Sequence, residues 1–381
     1  MTRVRPWLFL CVLAAGCAVE RPPAERGQLR QAFPMTPMAP VQLGRSVEAQ
    51  LGSSVAGCRV PGFVAGAPGE SATFLFLDGG TWLDAPIPGQ WDAGGVGVAV
   101  GCEGPPSAIR VLTSGHLGAW SLRAGVSELL AAGPAVEAIE RGPRSDTPLL
   151  LEQPSTGTVR LEMPTSSGYS SLSDVVEAPS AGAALAWAPT GEYFAVGDPE
   201  AHLARVYRWV PDGGAGGWAF DAGDVMGPAG TDFGAALAVA DVHPNSGLEL
   251  IVGSPSSAQV FIYSEVSGLA SLLLVLEPAG CVSGSFGTSL AIEPTPIAGG
   301  TLHALWVGDP VNERVFRFVG DAGQAFTSAS FGEEYFGFSL AVSEQNLIIG
   351  APLYSEVLDN AGAVYSVPFD TVGIPSGVPM T

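Results

Sequence analysis

The sequence has no lysine, and this absence accompanies a strong excess of negative charge. All 16 basic residues are arginine, against 37 aspartate and glutamate residues, so the net charge of the 381-residue chain is -21. Such a chain repels phosphate backbones, which argues against nucleic acid as a partner. The acidity fits either plain solubility or cation binding, and the sequence leaves both explanations open.

Recognisable catalytic motifs are also missing. The 4 histidines stand apart, without an HExxH motif or paired metal-ligand spacing, and no GxSxG turn is present. The glycine-rich run at 212–217 lacks the lysine that a phosphate-binding loop requires. We therefore expect a protein that is not an enzyme and that needs no cofactor, with calcium as the one cofactor to consider.

No stretch of the body keeps a helical period long enough to predict a helix. Charged residues make up only 14% of the chain, while 51 glycines and 32 prolines interrupt it throughout. This composition favours many short strands joined by turns. The predicted fold class is all-β.

What the sequence does contain is a repeated phrase in three parts. An aromatic-Gly pair leads into small and aliphatic residues, an apolar run then ends in Gly-x-Pro, and a strand of alternating valine and aromatic residues follows. The last three copies open at Phe233-Gly234, Phe286-Gly287 and Phe336-Gly337, and they reach Gly253-Ser254-Pro255, Gly308-Asp309-Pro310 and Gly350-Ala351-Pro352. A sheet of this size cannot bury its own faces, so it must pack against neighbouring copies.

Four earlier copies are weaker. Gly66-Ala67-Pro68 and Gly197-Asp198-Pro199 mark two of them, and predicted third strands at 108–112 and 158–161 mark the others. Seven units, each long enough for four short strands, predict a seven-bladed β-propeller of four-stranded antiparallel blades. The last unit lacks an outer strand, which we expect Val41 to Val47 to supply. The alternative is that Leu43-Gly44 begins blade one itself, a role for which Leu51-Gly52 competes.

The Phe-Gly and Gly-x-Pro phrases resemble the FG-GAP repeats of the integrin α-subunit propeller and of many bacterial surface proteins. The resemblance covers about residues 41–370, and a short tail at 371–381 follows. It implies a seven-bladed propeller that binds proteins or glycans through loops on one face.

The resemblance also implies calcium-binding loops between the first two strands of a blade. Asp241, Asn245 and Glu249 fall at ligand positions one, five and nine of such a loop and offer oxygen atoms to a hard cation. His243 stands at position three, where it is a poor calcium ligand. The segment is therefore either a degenerate calcium site or a plain polar hairpin turn.

The N-terminus has the features of an export signal. Arg3 and Arg5 precede a short apolar core, and small residues then lead to Cys17. The run Leu13 to Cys17 resembles a bacterial lipobox, although its leucine lies one residue early. We predict a signal peptide at 1–16, a lipidated Cys17 opening a Pro-rich flexible tether at 17–40, and an anchor at the outer membrane or cell surface. The alternative is an ordinary secretory signal.

Three further cysteines remain in an oxidising compartment. Either Cys58 and Cys102 form a disulfide between neighbouring repeats, or Cys58, Cys102 and Cys281 are buried free thiols.

The predicted function is that of a non-enzymatic surface lipoprotein whose propeller is a protein-binding or adhesion scaffold. One alternative is a lectin-like propeller that binds polysaccharide through aromatic residues in or near loops, namely Trp82, Trp91, Trp120 and Trp218. These tryptophans otherwise pack between blades. A second alternative is a secreted enzyme with an unrecognised site in the axial funnel.

Overall fold

The computed structural model describes most of the chain between residues 36 and 369. The described residues are 36–38, 42–43, 50–51, 53–58, 62–68, 72–77, 81–84, 96–103, 110–115, 118–123, 126–132, 136, 138–140, 143, 147, 149–153, 157–164, 169–177, 184–209, 218–244, 247–264, 271–277, 284–293, 302–319, 322–328, 335–343, 346–355 and 359–369. Cys17, Trp91, Asn245 and Cys281 lie outside them, as do the signal peptide and the C-terminal tail.

The described part of the chain is almost entirely β-strand. The strands of its first half are β1 (Thr36–Met38), β2 (Gln42–Leu43), β3 (Ser54–Gly57), β4 (Gly62–Ala67), β5 (Ala72–Leu77), β6 (Thr81–Asp84), β7 (Val96–Glu103), β8 (Arg110–Gly115), β9 (Gly118–Arg123), β10 (Val126–Ala132), β11 (Ala138–Glu140), β12 (Leu149–Gln153), β13 (Thr158–Pro164) and β14 (Tyr169–Glu177). Those of its second half are β15 (Leu185–Trp187), β16 (Tyr193–Asp198), β17 (Leu203–Trp209), β18 (Trp218–Met226), β19 (Ala236–Ala240), β20 (Glu249–Ser254), β21 (Gln259–Ser264), β22 (Ser271–Leu276), β23 (Leu290–Ile292), β24 (Leu305–Asp309), β25 (Arg314–Val319), β26 (Ala322–Ser328), β27 (Ser339–Val342), β28 (Asn346–Ala351) and β29 (Ala363–Pro368). Short 3₁₀ turns at Pro255–Ser257 and Pro310–Asn312 follow β20 and β24.

Within the described ranges these strands form seven sheets, numbered here along the chain. The first five sheets are β3–β6, β7–β10, β11–β14, β15–β18 and β19–β22, each with its strands adjacent in chain order. The sixth contains β23–β26 with β1 added outside β26, and the seventh contains β27–β29 with β2 added outside β29. Adjacent strands pair antiparallel except β1, which runs parallel to β26.

Consecutive sheets bury their faces against each other because side chains alternate along each strand. In the fifth sheet Ile251 and Ile262 face the sixth sheet, where they meet Phe286 and Phe316 in one apolar cluster. Phe261, which is next to Ile262 in sequence, faces the fourth sheet instead. Aromatic residues thus fill part of the space on both sides of the fifth sheet.

The series of sheets closes on itself. The opening strands β3, β7, β11, β15, β19, β23 and β27 each contact the opening strand of the next sheet, and β27 contacts β3. Leu51 packs in one apolar cluster with Phe63 of the first sheet and Val364 of the seventh. The backbone N–H groups of Gln50 and Leu51 donate to the carbonyls of Asn360 and Ala361, each at 3.0 Å.

The prediction that the segment Val41 to Val47 supplies the outer strand of the last unit is confirmed for Gln42 and Leu43, the described residues of this segment. Gln42 pairs with Val364, and Leu43 pairs with Ala363. Leu43 therefore belongs to the seventh sheet, and Leu51 is the residue that leads into the first. The predicted tether needs a correction, because Thr36–Met38 already pairs with Phe326–Ser328. Pro37 is compatible with this position because an added edge strand needs few of its own N–H groups.

The strand assignment in the second unit is also corrected. A third strand was predicted at 108–112, but the strand found there, β8 (Arg110–Gly115), is second in its sheet, between β7 and β9. The second sheet gains its fourth strand, β10, on the outer side, so the preceding β7 is the innermost one. In the third unit Thr158–Pro164 is the third strand, as predicted.

Candidate functional site

The two repeated turns lie at the same end of each sheet. In a sheet of four consecutive antiparallel strands, the start of the first strand, the connection from the second to the third, and the end of the fourth share one end. In the fifth, sixth and seventh sheets the Phe-Gly turn precedes the first strand and the Gly-x-Pro turn follows the second. We call this end of the sheets the Phe-Gly face.

Each Phe-Gly turn is held by one backbone hydrogen bond within its own sheet. The N–H groups of Gly234, Gly287 and Gly337 donate to the carbonyls of Gly253, Gly308 and Gly350 at 3.1, 2.9 and 3.1 Å. The three turn glycines have φ angles of +99°, +95° and +91°, a region that L side chains rarely adopt. The preceding phenylalanines are fully buried and pack edge-on against aromatic rings of the third strand of their sheet.

The Gly-x-Pro glycine of one sheet touches the Phe-Gly turn of the next sheet. A Cβ atom added to Gly197, Gly253 or Gly308 would lie 2.0, 2.2 or 2.1 Å from the carbonyl oxygen of Gly234, Gly287 or Gly337, respectively. No side chain fits at that distance, so the glycine is required for neighbouring sheets to approach. The two repeated phrases in the sequence are thus the two halves of one contact between sheets.

Carboxylates on the Phe-Gly face serve as hydrogen-bond acceptors for the turns. Asp232 Oδ1 accepts from the backbone N–H and the hydroxyl of Ser256 at 2.8 and 2.7 Å. Asp309 Oδ1, fully buried, accepts from the Ser285 hydroxyl at 2.6 Å and from Asn312 Nδ2 at 2.7 Å. The bonds to Ser256 and Ser285 join two connections of one sheet, whereas the bond from Asn312 closes the Gly-x-Pro turn on itself.

Two side chains connect the turns of neighbouring sheets. Glu313, in the sixth sheet, accepts from the backbone N–H groups of Tyr335 and Phe336 in the next turn, at 2.9 and 3.1 Å. His202 Nε2, in the fourth sheet, accepts from the N–H of Gly230 at 3.1 Å. Glu313 and His202 both have positive φ angles, 54° in each case. The Phe-Gly face is therefore a connected surface across sheets.

The large hydrophobic side chains that are exposed in the described structure all lie at this face. Met226, Val311 and Phe338 are 63%, 53% and 39% exposed. Met226 ends the fourth strand of its sheet, Val311 lies in a Gly-x-Pro turn, and Phe338 lies just after a Phe-Gly turn. Exposed apolar side chains gathered on one face are typical of an interaction surface.

Among the described residues two groups have clearly altered pKa values, and neither lies on a Phe-Gly or Gly-x-Pro turn. Burial between the fourth and fifth sheets raises the pKa of Tyr263 to about 12. A hydrogen bond to Asp224 raises the pKa of Arg205 above its usual value. That pair is bidentate, with distances of 2.6 and 3.1 Å, and lies on the exposed side of the fourth sheet.

Comparison with known proteins supports the architecture. No protein-family model matches the sequence, and no curated protein matches it. A chain from the crystal structure of the mitotic checkpoint complex, a WD40-like propeller, superimposes with a TM-score of 0.62. It covers 89% of this chain and 96% of its own, at 11% identity.

The chain folds as a β-propeller. At this identity the likeness shows the fold alone. In a propeller the opening strands line the axis and the connections at each end form two faces, so the Phe-Gly face is one of the two broad faces of this propeller.

The predicted calcium ligands are only partly described. Glu249 is fully buried, and its Oε2 accepts from the backbone N–H groups of Val242 and His243 at 2.7 and 3.3 Å. Asp241 lies on the same hairpin, and its backbone carbonyl accepts from the N–H of His303 at 2.7 Å. Among the described residues no three His, Cys, Asp or Glu side chains gather as metal ligands. Calcium binding stays a prediction, since Asn245 is outside the described part.

The predicted glycan-stacking tryptophans belong to different sheets. Trp82 lies within β6 and pairs with Phe76, and Trp120 lies within β9 and pairs with Thr113. Trp218 is the first residue of β18 and pairs with Trp209. Trp82 and Trp120 thus lie within strands, as their β-propensity favours, and glycan stacking by these tryptophans stays a prediction.

The structure joins Cys58 and Cys102 in a disulfide, with 5.0 Å between the Cα atoms. The bond links the residue after β3 to β7, and hence the first sheet to the second. In the described part no helix is both long and apolar enough to span a bilayer.

One arrangement was not predicted from the sequence. Glu293 and Arg317 form a buried ion pair, in which Glu293 Oε2 accepts from Nε at 3.0 Å and from Nη2 at 2.9 Å. The Arg317 guanidinium also lies 5.7 Å from the centre of the Trp306 ring. The charged residue in the run Val315-Phe316-Arg317-Phe318 was the available signal, because it interrupts an otherwise apolar strand.

Proposed function

We propose that this chain is a seven-bladed propeller of the FG-GAP type that acts as a non-enzymatic binding scaffold through its Phe-Gly face. The blade count is supported by the seven sheets and by the contacts that join the last sheet to the first. The family assignment is supported by the reciprocal fit between Phe-Gly and Gly-x-Pro turns, which gives a physical reason for both phrases.

One observation carries the binding proposal. The exposed large apolar side chains of the described structure, Met226, Val311 and Phe338, share one face. Exposing them to water is unfavourable, and burying them against a partner removes apolar area from solvent. The turns beneath them are held by hydrogen bonds, so the surface is pre-organised and loses little conformational entropy on binding.

The carboxylates of this face support a scaffold over a catalyst. Asp232, Asp309 and Glu313 accept hydrogen bonds from backbone N–H groups and side chains of the turns. A carboxylate used in this way orients a loop and is not directed at a substrate. The excess of acidic residues further favours a partner that presents apolar and cationic groups, and repels nucleic acid.

The proposal places the protein outside the cytoplasm, with an acyl anchor on Cys17 and the propeller at the outer membrane or cell surface. Its support is the signal-like N-terminus with small residues before Cys17. Labelling cells with an alkyne-bearing fatty acid tests the anchor. We expect label on the wild-type chain and none on Cys17→Ala, whereas equal label on both would contradict the assignment.

The binding face is tested by recovering envelope proteins from the organism's own cells on two immobilised proteins. One is the wild-type propeller, and the other carries both Val311→Ser and Phe338→Ser. We expect the double variant to recover a wild-type partner about tenfold less well, since apolar contacts at the centre of an interface carry most of its energy. Pro244→Ser is the matched control, because Pro244 is also exposed but lies on the hairpin at the opposite end of the fifth sheet. Equal recovery by wild type and double variant, or a robust hydrolase or lyase activity, would contradict the proposal.

A further inference from the structure

The Phe-Gly turns of the last three sheets differ in how they satisfy the two backbone N–H groups that precede the turn glycine. In the seventh sheet both are paired with a carboxylate of the preceding sheet. Glu313 accepts from Tyr335 through Oε1 at 2.9 Å and from Phe336 through Oε2 at 3.1 Å. Each carboxylate oxygen takes one of the two neighbouring donors, and such charge-assisted bonds are stronger than those between neutral groups.

The fifth sheet satisfies the first of its two donors from within the same sheet. The N–H of Asp232 donates at 3.2 Å to the hydroxyl of Ser256, the residue after the proline of the Gly-x-Pro turn. In the sixth sheet Val311 holds the position of Ser256, and its side chain contains no acceptor. The solution used by the fifth sheet is therefore closed to the sixth.

The solution used by the seventh sheet is closed to the sixth as well, because Ala258 of the fifth sheet holds the position of Glu313. Both residues follow a 3₁₀ turn, with φ and ψ of 52° and 45° at Ala258 and of 54° and 42° at Glu313. Ala258 is half-buried and packs against the apolar cluster that contains Phe286. The glycine contacts of the two junctions also agree within 0.1 Å, at 2.2 Å for Gly253 and 2.1 Å for Gly308.

The N–H groups of Ser285 and Phe286 consequently have no acceptor within the described part of the chain. Both residues are buried, with 3% and 0% of their surface exposed. Buried backbone N–H groups are nearly always paired, because an unpaired one gives up its hydrogen bonds to water without replacement. The sixth sheet thus keeps two neighbouring donors at the position where the seventh sheet binds a carboxylate.

We propose that this N–H pair binds a carboxylate carried by the protein partner of the Phe-Gly face, an inference that rests on the proposed function. Val311 is 53% exposed and its N–H donates to the Ser285 hydroxyl at 3.0 Å, so the site adjoins an exposed apolar side chain. The net charge of -21 repels a free acid anion. The carboxylate therefore needs apolar contacts beside it, as an aspartate or glutamate next to an aliphatic residue within an otherwise apolar and cationic partner surface has.

Amide NMR of the isotope-labelled wild-type chain tests the site directly. The probe is the peptide acetyl-Leu-Asp-Leu-amide, and its matched control has asparagine in place of aspartate. We expect the aspartate peptide to shift the amide resonances of Ser285 and Phe286 and to bind about tenfold more tightly than the control, since a charged acceptor makes the stronger hydrogen bonds. The amides of Tyr335 and Phe336 should not shift, because Glu313 already accepts from them.

The same titration with acetate separates a carried carboxylate from a free acid. We expect acetate to bind about tenfold more weakly than the aspartate peptide, because it makes no apolar contact with Val311. Acetate that binds as tightly as the peptide would show that the partner's apolar residues are not needed, and would overturn the proposal. Unshifted amides at Ser285 and Phe286, or equal binding of both peptides, would overturn the site itself.

Ala258→Glu gives the turn of the sixth sheet a carboxylate of its own and should abolish the response of Ser285 and Phe286 to the aspartate peptide. We also expect it to reduce recovery of a wild-type envelope partner about tenfold. Pro244→Glu is the matched control, because it adds the same charge on the hairpin at the opposite end of the fifth sheet.

Partner recovery also separates this inference from the proposed function. A loss with the double variant Val311→Ser, Phe338→Ser but not with Ala258→Glu would refute the carboxylate site and leave the proposed function intact. Full recovery with both would contradict the proposed function and the site together.

Discussion

The first hairpins of the fifth and sixth sheets carry a buried glutamate on opposite strands. In the fifth sheet Ala240 on the first strand faces Glu249 on the second. In the sixth the order is reversed, because Glu293 follows the first strand and donates its N–H to the carbonyl of Ala304 at 2.9 Å. Each carboxylate has its hydrogen-bond partners within its own sheet. Glu249 accepts hydrogen bonds from backbone N–H groups of its own turn, whereas Glu293 accepts hydrogen bonds from the guanidinium of Arg317.

The difference extends across the interface with the next sheet. The fifth sheet presents the pair Ile251 and Ile262 to its neighbour, and at the same positions the sixth sheet presents Trp306 and Arg317. The backbones of both sheets make the same glycine contact with the following turn. The comparison shows that the turns set how closely the sheets approach, and that the chemistry of the space between them varies.

The largest effect is expected where the ion pair is broken. Glu293→Gln leaves the Arg317 charge buried without its counter-charge, and we expect a loss of about 4 kcal/mol in the free energy of unfolding. Urea titration measures it. The double variant Glu293→Ala, Arg317→Ile gives the sixth sheet the residues of the fifth and should recover most of the loss. A double variant as unstable as the single one would refute this account.

The glycine contact should matter equally in both interfaces. Gly253→Ala and Gly308→Ala each place a Cβ atom against a backbone carbonyl, at 2.2 and 2.1 Å. The sheets must separate to relieve the clash, at about 3 kcal/mol in each case by urea titration. Gly284→Ala is the control, because its added Cβ atom meets open space. Only the positive φ angle should destabilise this variant, by about 1 kcal/mol. Unequal losses at Gly253 and Gly308 would mean that the interfaces differ in backbone as well as in side chains.

Tyr263 in the fifth sheet corresponds to Phe318 in the sixth, and this difference should appear at alkaline pH. Burial raises the pKa of Tyr263 from 10.0 to about 12, so the folded state holds the phenolic proton more tightly than the unfolded chain. The contribution of this pKa difference to the free energy of unfolding is complete below pH 10 and is lost as pH rises toward 12. Between pH 9 and 11.5 the wild type should lose about 2 kcal/mol more than Tyr263→Phe. Identical pH profiles of unfolding would show that Tyr263 is not the group responsible.

The smallest effect is expected at the other glutamate. Glu249→Gln retains a side-chain carbonyl that accepts the N–H groups of Val242 and His243, so the loss should be about 1 kcal/mol. A loss as large as that of Glu293→Gln would indicate that the Glu249 carboxylate also neutralises a charge. Urea titration of both variants under the same conditions gives the answer.

Much of the fold could be predicted from the sequence at the positions where the backbone geometry requires glycine. The Phe-Gly turns need a positive φ and the Gly-x-Pro turns need the absence of a Cβ atom, so both phrases recur where the fourth, fifth, sixth and seventh sheets meet. The strands of the fourth to seventh sheets were predictable for this reason. The second unit was recognised only by a predicted third strand at 108–112, and its position was predicted wrongly, because residues 110–112 belong to β8, the second strand of that sheet.

What the sequence did not reveal depends on contacts between distant residues. The ion pair of Glu293 and Arg317 joins residues 24 positions apart in the chain, and although Arg317 interrupts an apolar strand, nothing local in the sequence identifies Glu293 as its partner. The pairing of Thr36–Met38 with β26 joins residues almost 300 positions apart (36 and 326). A short stretch rich in proline gives no periodic signal for such pairing, because three residues are too few to alternate visibly.

The hydrogen bonds from Gln50 and Leu51 to Asn360 and Ala361 have a consequence for biosynthesis. The first sheet emerges from the ribosome some 300 residues before the segment that covers its second apolar side, as the positions of Leu51 and Val364 in one cluster show. Until synthesis ends, the nascent chain leaves one apolar sheet face exposed to water at each end of the series of sheets. Closure of the ring of sheets is therefore a late, post-translational event. A chain truncated at its C-terminus would lose the contacts between the first and seventh sheets as well as the deleted strands.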